Sequence, residues 1–346
     1  MQAVTLCAVI QQAIQSLLDG RDLGRDEARE VMGEIMSGEA TAAQIGGFLV
    51  ALRAKGETAD EIAGCAEAMR AHVLPVSPTR DDVVDVVGTG GDGARTFNIS
   101  TTAAIVAAAA GAGVAKHGNR AVSSASGSAD VLEALGFVLE QPPERIATSI
   151  DELGFGFMFA PLHHPAMRHA APVRRELGTR TIFNVLGPLT NPAGARAGVF
   201  GVYSAPVART VADALAVLDS RRAFVVHGAN GIDELSPAGP NLVLEVVEGA
   251  VHERVLDPAE LGLAPRDPDE LAGGTPEENA RTAREILSGV DGAKRDAVLL
   301  NAAGAIAAAG HAVDLREGLD RAREAIDSGR AAARLEELVA FSRESA

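Results

Sequence analysis

Residues Val83-Val84-Asp85-Val86-Val87-Gly88-Thr89-Gly90-Gly91-Asp92-Gly93 join a β-branched apolar run to a cluster of glycines. The run predicts a buried strand over Val83 to Val87, and glycines beyond it let the main chain approach a ligand without a Cβ in the way. Ser100, Thr101 and Thr102 then offer N-caps to a helix that runs to Ala110, whose positive end faces the glycines. We therefore expect an anion, a phosphate above all, to bind at this loop.

A second unit of the same kind follows the first. Gly113 to Lys116 predicts a short buried strand, His117 to Arg120 a polar loop, and Ala129 to Leu135 a helix. Parallel strands joined by a helix place successive loops at the same edge of the sheet. Both loops should therefore face one crevice, where Lys116 and Arg120 supply positive charge.

Two other interpretations of the glycine cluster fit less well. Gly88, Gly90 and Gly93 satisfy the G-x-G-x-x-G spacing of a dinucleotide site, but the predicted helix begins near Ser100, well past the third glycine. The acidic residue expected after the next strand is also missing, and Lys116-His117 stands there instead. A purely structural tight turn would leave the second polar loop unexplained.

The composition bounds the class of protein. The chain has 346 residues, of which 47% are hydrophobic and 23% charged, enough for a full core in roughly two domains. Its formal net charge of −16 argues against general binding to nucleic acid or anionic membranes, because both need a basic surface. The longest apolar runs, such as 103–110, are too short to cross a bilayer, and no targeting segment is evident. Cys7 and Cys65 lack a metal or disulfide pattern, so we expect a cytoplasmic protein.

The order of helical and strand patterns predicts the α/β fold class. Residues 1–78 contain helical patterns only, which predict a small all-helical domain. Its four patterns break at Asp19-Gly20, Ser37-Gly38 and Lys55-Gly56. From Val83 onward strands and helices alternate, which predicts a larger α/β domain with a central, mainly parallel sheet flanked by helices. Residues 165–186 interrupt the alternation as helix and turn, and the chain is mostly helical after the capping box Thr275 to Glu278.

Adjacent acids follow another strand pattern. Val225 to Gly228 predicts a strand that ends in glycine, and Asp233-Glu234 lies on the loop beyond it. Mg²⁺ takes a few hard oxygen ligands and completes its shell with water and phosphate, so such a pair could hold it. Two adjacent acids are more often solvated surface, and the pair alone leaves both interpretations open.

The histidines do not form a recognisable zinc site. His163, His164 and His169 lack the i, i+4 spacing of a helical zinc pair and have no evident third ligand. We expect His117 and His164 to line a pocket instead. No serine stands in a G-x-S-x-G motif, so Ser126 to Ser128 is interpreted as a phosphate contact or a helix cap.

Several motifs together resemble the anthranilate phosphoribosyltransferase family. They are Gly88 to Asp92, Thr96 to Thr101, Lys116 to Arg120 and Ser126 to Glu133. The similarity extends over almost the whole chain, and it includes Ala40 to Gly56, Thr181 to Pro192 and Asp233 to Ser236. Only the segment from Val243 to about Gly274 has no match. The combination of motifs is highly specific.

The resemblance implies transfer of a phosphoribosyl group from 5-phosphoribosyl 1-pyrophosphate (PRPP) to the amine of anthranilate, with release of pyrophosphate, in tryptophan biosynthesis. Mg²⁺ is the implied cofactor, held by Ser100, Asp233 and Glu234. The available residues agree with this chemistry, because orientation and stabilisation of the leaving pyrophosphate can catalyse displacement at an anomeric carbon. The aromatic amine is neutral and already nucleophilic at pH 7, so we assign no general base.

The resemblance also implies which residues bind each substrate. The donor would contact Gly88, Gly91, Asp92, Thr96, Asn98, Ile99, Ser100, Thr101, Lys116, His117, Gly118, Asn119, Arg120, Ala121, Val122, Ser123, Ser124 and Ser128. Anthranilate would contact Gly88, Asn119 and Arg174, with His117, His164 and Pro188 as walls of the same site. Arg174 suits this role because its planar fork can pair with the substrate carboxylate.

A discontinuous helical domain is a further implication of the resemblance. Residues 163–190 would fold back onto the helical domain of residues 1–78, and residues 79–162 and 191–346 would form the α/β domain. The acceptor and the donor would then be bound from opposite sides of one cleft. Closure about the connections 75–79 and 186–192 would bring them together.

We also expect a homodimer. Phe48 and Leu52 of the third helical pattern accompany the small residues Gly46 and Gly47, which permit close approach of helices. A two-fold contact through the first and third helices would use this surface.

Two functions of other classes remain as alternatives. A pyrimidine nucleoside phosphorylase would share the fold, but it should carry its own lysine- and histidine-containing glycine motif in place of Lys116 to Arg120. A nucleic-acid-binding relative would need a basic groove, which the net charge of −16 opposes. We therefore expect anthranilate and PRPP as partners, and neither nucleic acid nor membrane.

Overall fold

The computed structural model describes the main chain of residues 3–121 and 125–344 and, within those ranges, the side chains from Val9 onward. Four helices open the chain, as predicted. They are α1 Ala3–Leu18, α2 Arg25–Ser37, α3 Ala42–Lys55 and α4 Ala59–Ala71. Thr41 and Thr58 accept hydrogen bonds from the main-chain N–H groups of Gln44 and Glu61, whose side chains bond back to the cap residues. These capping boxes fix where α3 and α4 begin.

The described residues form one seven-stranded sheet in the order β3-β2-β1-β4-β5-β6-β7. Its strands are β1 Val83–Gly88, β2 Gly113–Gly118, β3 Phe155–Phe159, β4 Ala197–Gly201, β5 Arg222–His227, β6 Asn241–Val247 and β7 Ala250–Leu256. The strands β3, β2, β1, β4 and β5 are mutually parallel, and β6 and β7 are antiparallel to their neighbours. The prediction of a mainly parallel sheet is confirmed.

Helices cover the sheet on both faces. The helices that follow α4 in the chain are α5 Ile99–Ala109, α6 Ser128–Leu135, α7 Pro143–Leu153, α8 Ala160–His163, α9 Ala171–Leu177, α10 Phe183–Leu189, α11 Ala205–Val217, α12 Pro276–Leu287, α13 Ala293–Ala308, α14 Leu315–Asp327 and α15 Arg330–Arg343. The alanine-rich α5 is buried on almost every side, between β1, β2 and α13. An all-round apolar helix of this kind belongs in a core. Among the described residues, none of these helices has the length and apolar character needed to span a membrane.

Residues 165–189 pack back onto the N-terminal helices. A 3₁₀ turn over Pro165–Arg168 contacts α2, α9 contacts α3, and α10 contacts α4. Val173 and Ile182 are buried in the same apolar cluster as Ile45 and Phe48. The segment contains no strand, as predicted, and the helical part of the molecule is therefore discontinuous in sequence. The domain boundaries themselves stay predictions.

One predicted strand end is wrong. β2 continues beyond Lys116 to Gly118, so His117 and Gly118 belong to the strand and not to the polar loop. The reason is its neighbour, because β2 pairs with β3 in parallel as far as Gly118 opposite Phe159. Sequence reasoning ended the strand at the first charged residue.

The predicted N-caps of α5 are also wrong. The N-cap residue is Asn98, and Ser100, Thr101 and Thr102 lie within the first turn. The Thr102 hydroxyl donates to the carbonyl of Asn98, four residues earlier (3.0 Å), and so does not cap the free amides. The amides of Ile99 and Ser100 are instead satisfied by the carbonyl of Phe97 (2.7 Å) and by Oε1 of Glu234 (3.3 Å).

The segment that matched no motif begins with an antiparallel hairpin. β6 and β7 form it, with Val246 opposite Val251. Two 3₁₀ turns, Pro258–Leu261 and Pro268–Leu271, then lead into α12. The predicted capping box begins that helix, with the Thr275 hydroxyl accepting from the main-chain N–H of Glu278 (3.3 Å).

Candidate active site

Polar loops meet at the carboxyl edge of the parallel strands. The glycine loop, residues 88–93, follows β1, and the acidic loop, residues 228–236, follows β5. The two loops touch, because the main-chain N–H of Gly90 donates to Oδ2 of Asp233 (2.6 Å). Asp92 reaches the same loop, where its Oδ2 accepts the main-chain N–H of Asp233 (3.2 Å). Residues far apart in sequence are thus joined at one edge of the sheet.

Gly88 makes room for the acidic loop. A Cβ at Gly88 would overlap the Asp233 carboxylate, and a Cβ at Gly201 would overlap the Asp233 carbonyl. The two glycines face each other across β1 and β4. Sequence reasoning interpreted Gly88 as a ligand approach point and did not single out Gly201. Gly91 differs, because its φ of +76° lies in the left-handed region that glycine adopts without strain.

Asp233 is buried and Glu234 partly buried, and the carboxyl groups of both lie close to other acids. Burial, and next the neighbouring charge of Asp92, raises the pKa of Asp233 to about 7. Burial, and next the charge of Asp233, raises the pKa of Glu234 to about 8. A cation placed among these groups would relieve both the desolvation and the mutual repulsion.

The oxygen atoms around this acidic pair fit Mg²⁺. Glu234 accepts the main-chain N–H of Ser100 (3.3 Å), and the Ser100 hydroxyl accepts a hydrogen bond from Nζ of Lys116 (3.5 Å). Within the part of the chain that the structure describes, no three or more His, Cys, Asp or Glu side chains form a complete metal site. Mg²⁺ does not need one, since it binds through one or two carboxylates and keeps water and substrate phosphate as further ligands.

Lys116 lies beneath the loops and not on their surface. Its side chain is only 2% exposed, and Nζ donates to the carbonyl of Val86 (2.6 Å) and to Oγ of Ser100 (3.5 Å). Burial lowers the pKa of this lysine, against the opposing charges of Asp85 and Glu234. The lysine predicted to face the crevice is therefore placed inside the sheet edge.

Asp85 was missed by sequence reasoning. Its carboxylate is fully buried and accepts hydrogen bonds from Nδ2 of Asn191 (2.6 Å) and from the main-chain N–H of Val86 (2.8 Å). Burial raises the pKa of Asp85 to about 6, and the nearby Lys116 opposes that rise. The sequence did contain an indication of this role, because Asp85 is an acid in the middle of a β-branched run. A charge buried in such a strand needs a partner.

Arg120 is already paired within its own loop and helix. Its guanidinium bonds to Oδ1 of Asp130 (3.1 Å) and to the Glu133 carboxylate on α6. The carbonyl of Asn119 accepts the Ser128 hydroxyl (3.2 Å), which closes the same loop. The charge that Arg120 is expected to supply to the crevice is therefore paired with two carboxylates in this structure.

Two predicted pocket histidines are adjacent. The ring centroids of His117 and His164 are 4.9 Å apart, and Nε2 of each ring is buried without a hydrogen-bond partner among the described residues. Burial is the largest cause of a low pKa in both, about 3 for His117 and about 4 for His164. His117 also hydrogen-bonds to the main chain of Gly187, next to Pro188. The rings are consequently neutral at pH 7.

Arg174 is a half-buried cation without an acidic partner. Its guanidinium stacks over the ring of Phe183 (5.1 Å to the centroid), and burial lowers its pKa. In the ranges that the structure describes, no hydrogen bond or ion pair engages this side chain. A half-buried guanidinium with five free donors is prepared for a carboxylate.

Arg180 connects the returning segment to the glycine loop, and sequence reasoning missed it. Its guanidinium donates to the carbonyl of Gly91 and stacks over the ring of Tyr203 (3.9 Å to the centroid). Tyr203 is the only tyrosine of the chain, but nothing in the sequence places it next to residue 180.

The remaining predicted residues divide into two groups. Gly91, Asp92, Thr96, Asn98, Ile99 and Thr101 lie along the glycine loop, the chain beyond it and the first turn of α5. Gly118, Asn119, Ala121 and Ser128 lie at the end of β2 and the start of α6. Val122, Ser123 and Ser124 lie outside the described residues.

Comparison with known proteins gives a consistent result. Residues 80–332 match the model of the glycosyl transferase family a/b domain, and residues 11–73 match the helical bundle domain of the same family. The anthranilate phosphoribosyltransferase of Desulforudis audaxviator is 55% identical over 335 residues, 96% of each chain.

Solved structures agree with this similarity. The anthranilate phosphoribosyltransferase of Thermus thermophilus superposes with a TM-score of 0.91 at 52% identity, covering 96% of this chain and 99% of that one. The enzyme of Saccharomyces cerevisiae, in complex with PRPP and Mg, gives a TM-score of 0.88 at 31% identity, covering 97% and 98%. The chain therefore belongs to the anthranilate phosphoribosyltransferases of the glycosyl transferase family.

Proposed function

We propose that the chain transfers the phosphoribosyl group of PRPP to the amine of anthranilate, giving N-(5-phosphoribosyl)anthranilate and pyrophosphate, as a step of tryptophan biosynthesis. One observation carries this proposal beyond family membership. The Asp233 carboxylate bonds to the glycine-loop amide of Gly90 (2.6 Å), while the unpaired cation of Arg174 lies on the returning helical segment. The site proposed for phosphate and metal thus lies on the glycine and acidic loops. The cation proposed to bind the carboxylate of anthranilate lies on the returning helical segment.

The donor binds along the two loops after β1 and β2. The main chain of the glycine loop and the start of α5 suit phosphate oxygens, because the positive end of a helix attracts anions. The predicted set from Gly88 to Thr101 and from Lys116 to Ser128 keeps this role. Arg120 must exchange part of its pairing with Asp130 and Glu133 if it contacts the donor.

Ser100, Asp233 and Glu234 would hold Mg²⁺, with Asp92 close by. The metal supplies electrostatic stabilisation of the charge that develops on the departing pyrophosphate. The buried, mutually repelling carboxylates of Asp233 and Glu234 favour a divalent cation in this position.

Anthranilate binds at Gly88, Asn119 and Arg174, with His117, His164 and Pro188 beside it. Arg174 holds the carboxylate in a bidentate pair, which fixes the orientation of the ring. The aromatic amine is uncharged at pH 7, as a nucleophile must be, and the neutral rings of His117 and His164 place no positive charge beside it. Rate enhancement then comes from orientation and electrostatics and requires no strong base.

The two connections proposed as hinges lie side by side. The main-chain N–H of Val76 donates to the carbonyl of Pro192 (3.0 Å), and that of Leu74 donates to His163 (2.8 Å). We propose that residues 1–78 with 163–190 move as one domain, and that 79–162 with 191–346 form the other. Closure brings the amine of anthranilate to the anomeric carbon of PRPP.

The proposed homodimer needs a different surface from the one first expected. Phe48 and Leu52 are buried inside the chain, so they cannot form an interface. Leu18 of α1 and Val50 of α3 are 67% and 47% exposed. The proposed contact therefore still uses α1 and α3, but through these exposed apolar side chains. We also propose a cytoplasmic location for this enzyme.

A fluorescence assay tests the proposed reaction. Anthranilate is fluorescent, so its signal should fall when the chain, PRPP and Mg²⁺ are present together, and it should persist when any one is omitted. A persistent signal with folded protein and both substrates would refute the proposal. Circular dichroism of the same sample supplies the control for folding.

A further inference from the structure

A short strap holds the chain just beyond the glycine loop. The strap, residues 271–274, runs antiparallel to residues 95–97. The main-chain N–H of Phe97 donates to the carbonyl of Leu271 (3.0 Å), and that of Gly273 donates to the carbonyl of Arg95 (2.9 Å). A Cβ at Gly273 would lie 2.7 Å from the main chain of Phe97, so the two segments are in close contact. The strap belongs to the stretch that matched no motif.

Asn279 joins this strap to the donor loops. It lies in the first turns of α12 and is only 3% exposed. Its Oδ1 accepts the main-chain N–H of Gly274 (2.8 Å), and its Nδ2 donates to Oδ1 of Asn98 (2.9 Å). Because a main-chain N–H can only donate, the first bond fixes which end of the Asn279 amide faces Asn98.

The Asn98 amide is oriented in turn. Because Nδ2 of Asn279 donates to it, the Oδ1 atom of Asn98 must point toward α12. The same oxygen accepts the hydroxyl of Ser126 (3.1 Å), and Nδ2 of Asn98 donates to the carbonyl of Ser126 (3.2 Å). Asn98 stands at the start of α5, and Ser126 lies in the loop before α6. This pair therefore fastens the first donor loop to the second.

We propose that Asn279 is a positioning residue for the donor site. It does not touch substrate, and it acts by fixing the amide orientation of Asn98 and hence the spacing of the two phosphate-binding loops. This inference rests on the proposed function of the site. The carboxylate of the acceptor pairs with Arg174 on the returning segment, which Asn279 does not contact, so acceptor binding should depend on Asn279 much less than donor binding does.

Asn279→Asp provides the sharpest test. The new carboxylate still accepts the N–H of Gly274, but it places an acceptor against Oδ1 of Asn98. The side-chain amide of Asn98 must then flip so that its Nδ2 faces residue 279. This places Oδ1 of Asn98 against the carbonyl oxygen of Ser126, where two acceptors repel each other, and the link between the loops is lost. We expect the KM and the calorimetric Kd of PRPP with Mg²⁺ to rise about tenfold or more, the order expected for a lost buried hydrogen bond. The anthranilate KM at saturating PRPP should stay within about twofold, well below the tenfold change expected for PRPP.

Thr275→Ala is the matched control. It removes the N-cap of the same helix, where the hydroxyl accepts the N–H of Glu278, without touching Asn98. It should lower the Tm and leave PRPP binding unchanged. Asn279→Ala, which introduces no charge, takes the place of the aspartate variant if that variant does not fold.

Three results separate the possible failures. Weakened PRPP binding in the Asn279 variants, beside normal binding in Thr275→Ala, supports the positioning role. PRPP binding that is unchanged, or that weakens equally with anthranilate binding, overturns it while leaving the proposed function intact. An unsubstituted chain that binds no PRPP at all overturns the proposed function itself.

Discussion

The main-chain N–H of Gly90 lies 2.6 Å from Oδ2 of Asp233, and this hydrogen bond joins the glycine loop to the acidic loop. Each loop by itself is a weak indication of function. Together they place backbone donors and paired carboxylates at one edge of a parallel sheet, where α/β folds bind their ligands. Three of the predictions below concern this edge and the residues opposite to it.

Replacing Gly88 should impair the enzyme through packing. In Gly88→Ala the new methyl would overlap the Asp233 carboxylate, so we expect a loss of about 1–3 kcal/mol in the free energy of unfolding and a large loss of turnover. Gly33→Ala in α2 is the control, because no atom lies within 4 Å of its added Cβ. Urea unfolding and the fluorescence assay measure both effects. An active, stable Gly88→Ala enzyme would show that the two loops separate easily.

Removing the acidic pair should remove metal-dependent catalysis. We expect the double variant Asp233→Ala, Glu234→Ala to lose at least about a hundredfold in turnover, comparable to the loss of a major electrostatic element. Calorimetry should also show weaker Mg²⁺-dependent binding of pyrophosphate. The control is Glu336→Ala, Glu337→Ala, an exposed acid pair on α15. Near-normal activity of the first variant at limiting Mg²⁺ would place the metal elsewhere.

Asp82 should make stability depend on pH below the physiological range. Burial acts to raise its pKa, but hydrogen bonds from Arg80 and His311 outweigh burial and lower the pKa to about 2. Since this lies below the unfolded value near 3.9, the stabilisation is complete above about pH 4 and is lost as the pH falls toward 2. Asp82→Asn should therefore cost about 1–2 kcal/mol at pH 7 and progressively less as the pH falls below 4. Urea unfolding at pH 7, 4 and 3 measures the difference, and the exposed neighbour Asp81→Asn should show none.

A charge at the exposed surface of α3 should disrupt the proposed dimer. Val50→Glu places a carboxylate at a site that is 47% exposed in the single chain, where burial against a second copy would be unfavourable. Light scattering should give the mass of a dimer for the unsubstituted chain and that of a monomer for the variant. Val313→Glu, at a site 78% exposed and far from the helical domain in sequence, is the control. A monomeric unsubstituted chain at micromolar concentration would contradict the proposal.

Much of the fold could be predicted because its signals are local. The β-branched run of β1, the glycines after it and the capping boxes of α3, α4 and α12 each lie within a few residues. The end of β2 could not be predicted, because pairing with β3 carries the strand past Lys116 and through His117. Tertiary pairing there overrides the local pattern.

The site was predicted in part for the same physical reason. Motif residues such as Asp233 and Arg174 were identified, but their partners are distant in sequence. Asn279 lies 181 residues from Asn98, and Asn191 lies 106 residues from Asp85. The pairing of Arg120 with Asp130 and Glu133 was not predicted, because these residues lie 10 and 13 positions along the chain and come together only when α6 has formed. A hydrogen bond between distant segments leaves no periodic pattern in the sequence, so it cannot be predicted from the sequence.

We predict that the two substrates depend on different segments of the chain. Arg174 lies on the segment that packs against the N-terminal helices, whereas Lys116 lies under the glycine loop. Arg174→Ala should raise the anthranilate KM by about a hundredfold, the scale of a lost charged hydrogen-bonded pair, and should change the PRPP KM little. Lys116→Ala should mainly disturb the donor.

Steady-state kinetics test this prediction most directly. They compare Arg174→Ala with Arg175→Ala, because Arg175 is the exposed neighbour of Arg174 on α9. Both KM values are measured for each variant, with the other substrate saturating. The account predicts that the anthranilate KM rises only in Arg174→Ala and that Arg175→Ala behaves like the unsubstituted enzyme. An Arg174→Ala enzyme impaired chiefly in its KM for PRPP would contradict the account.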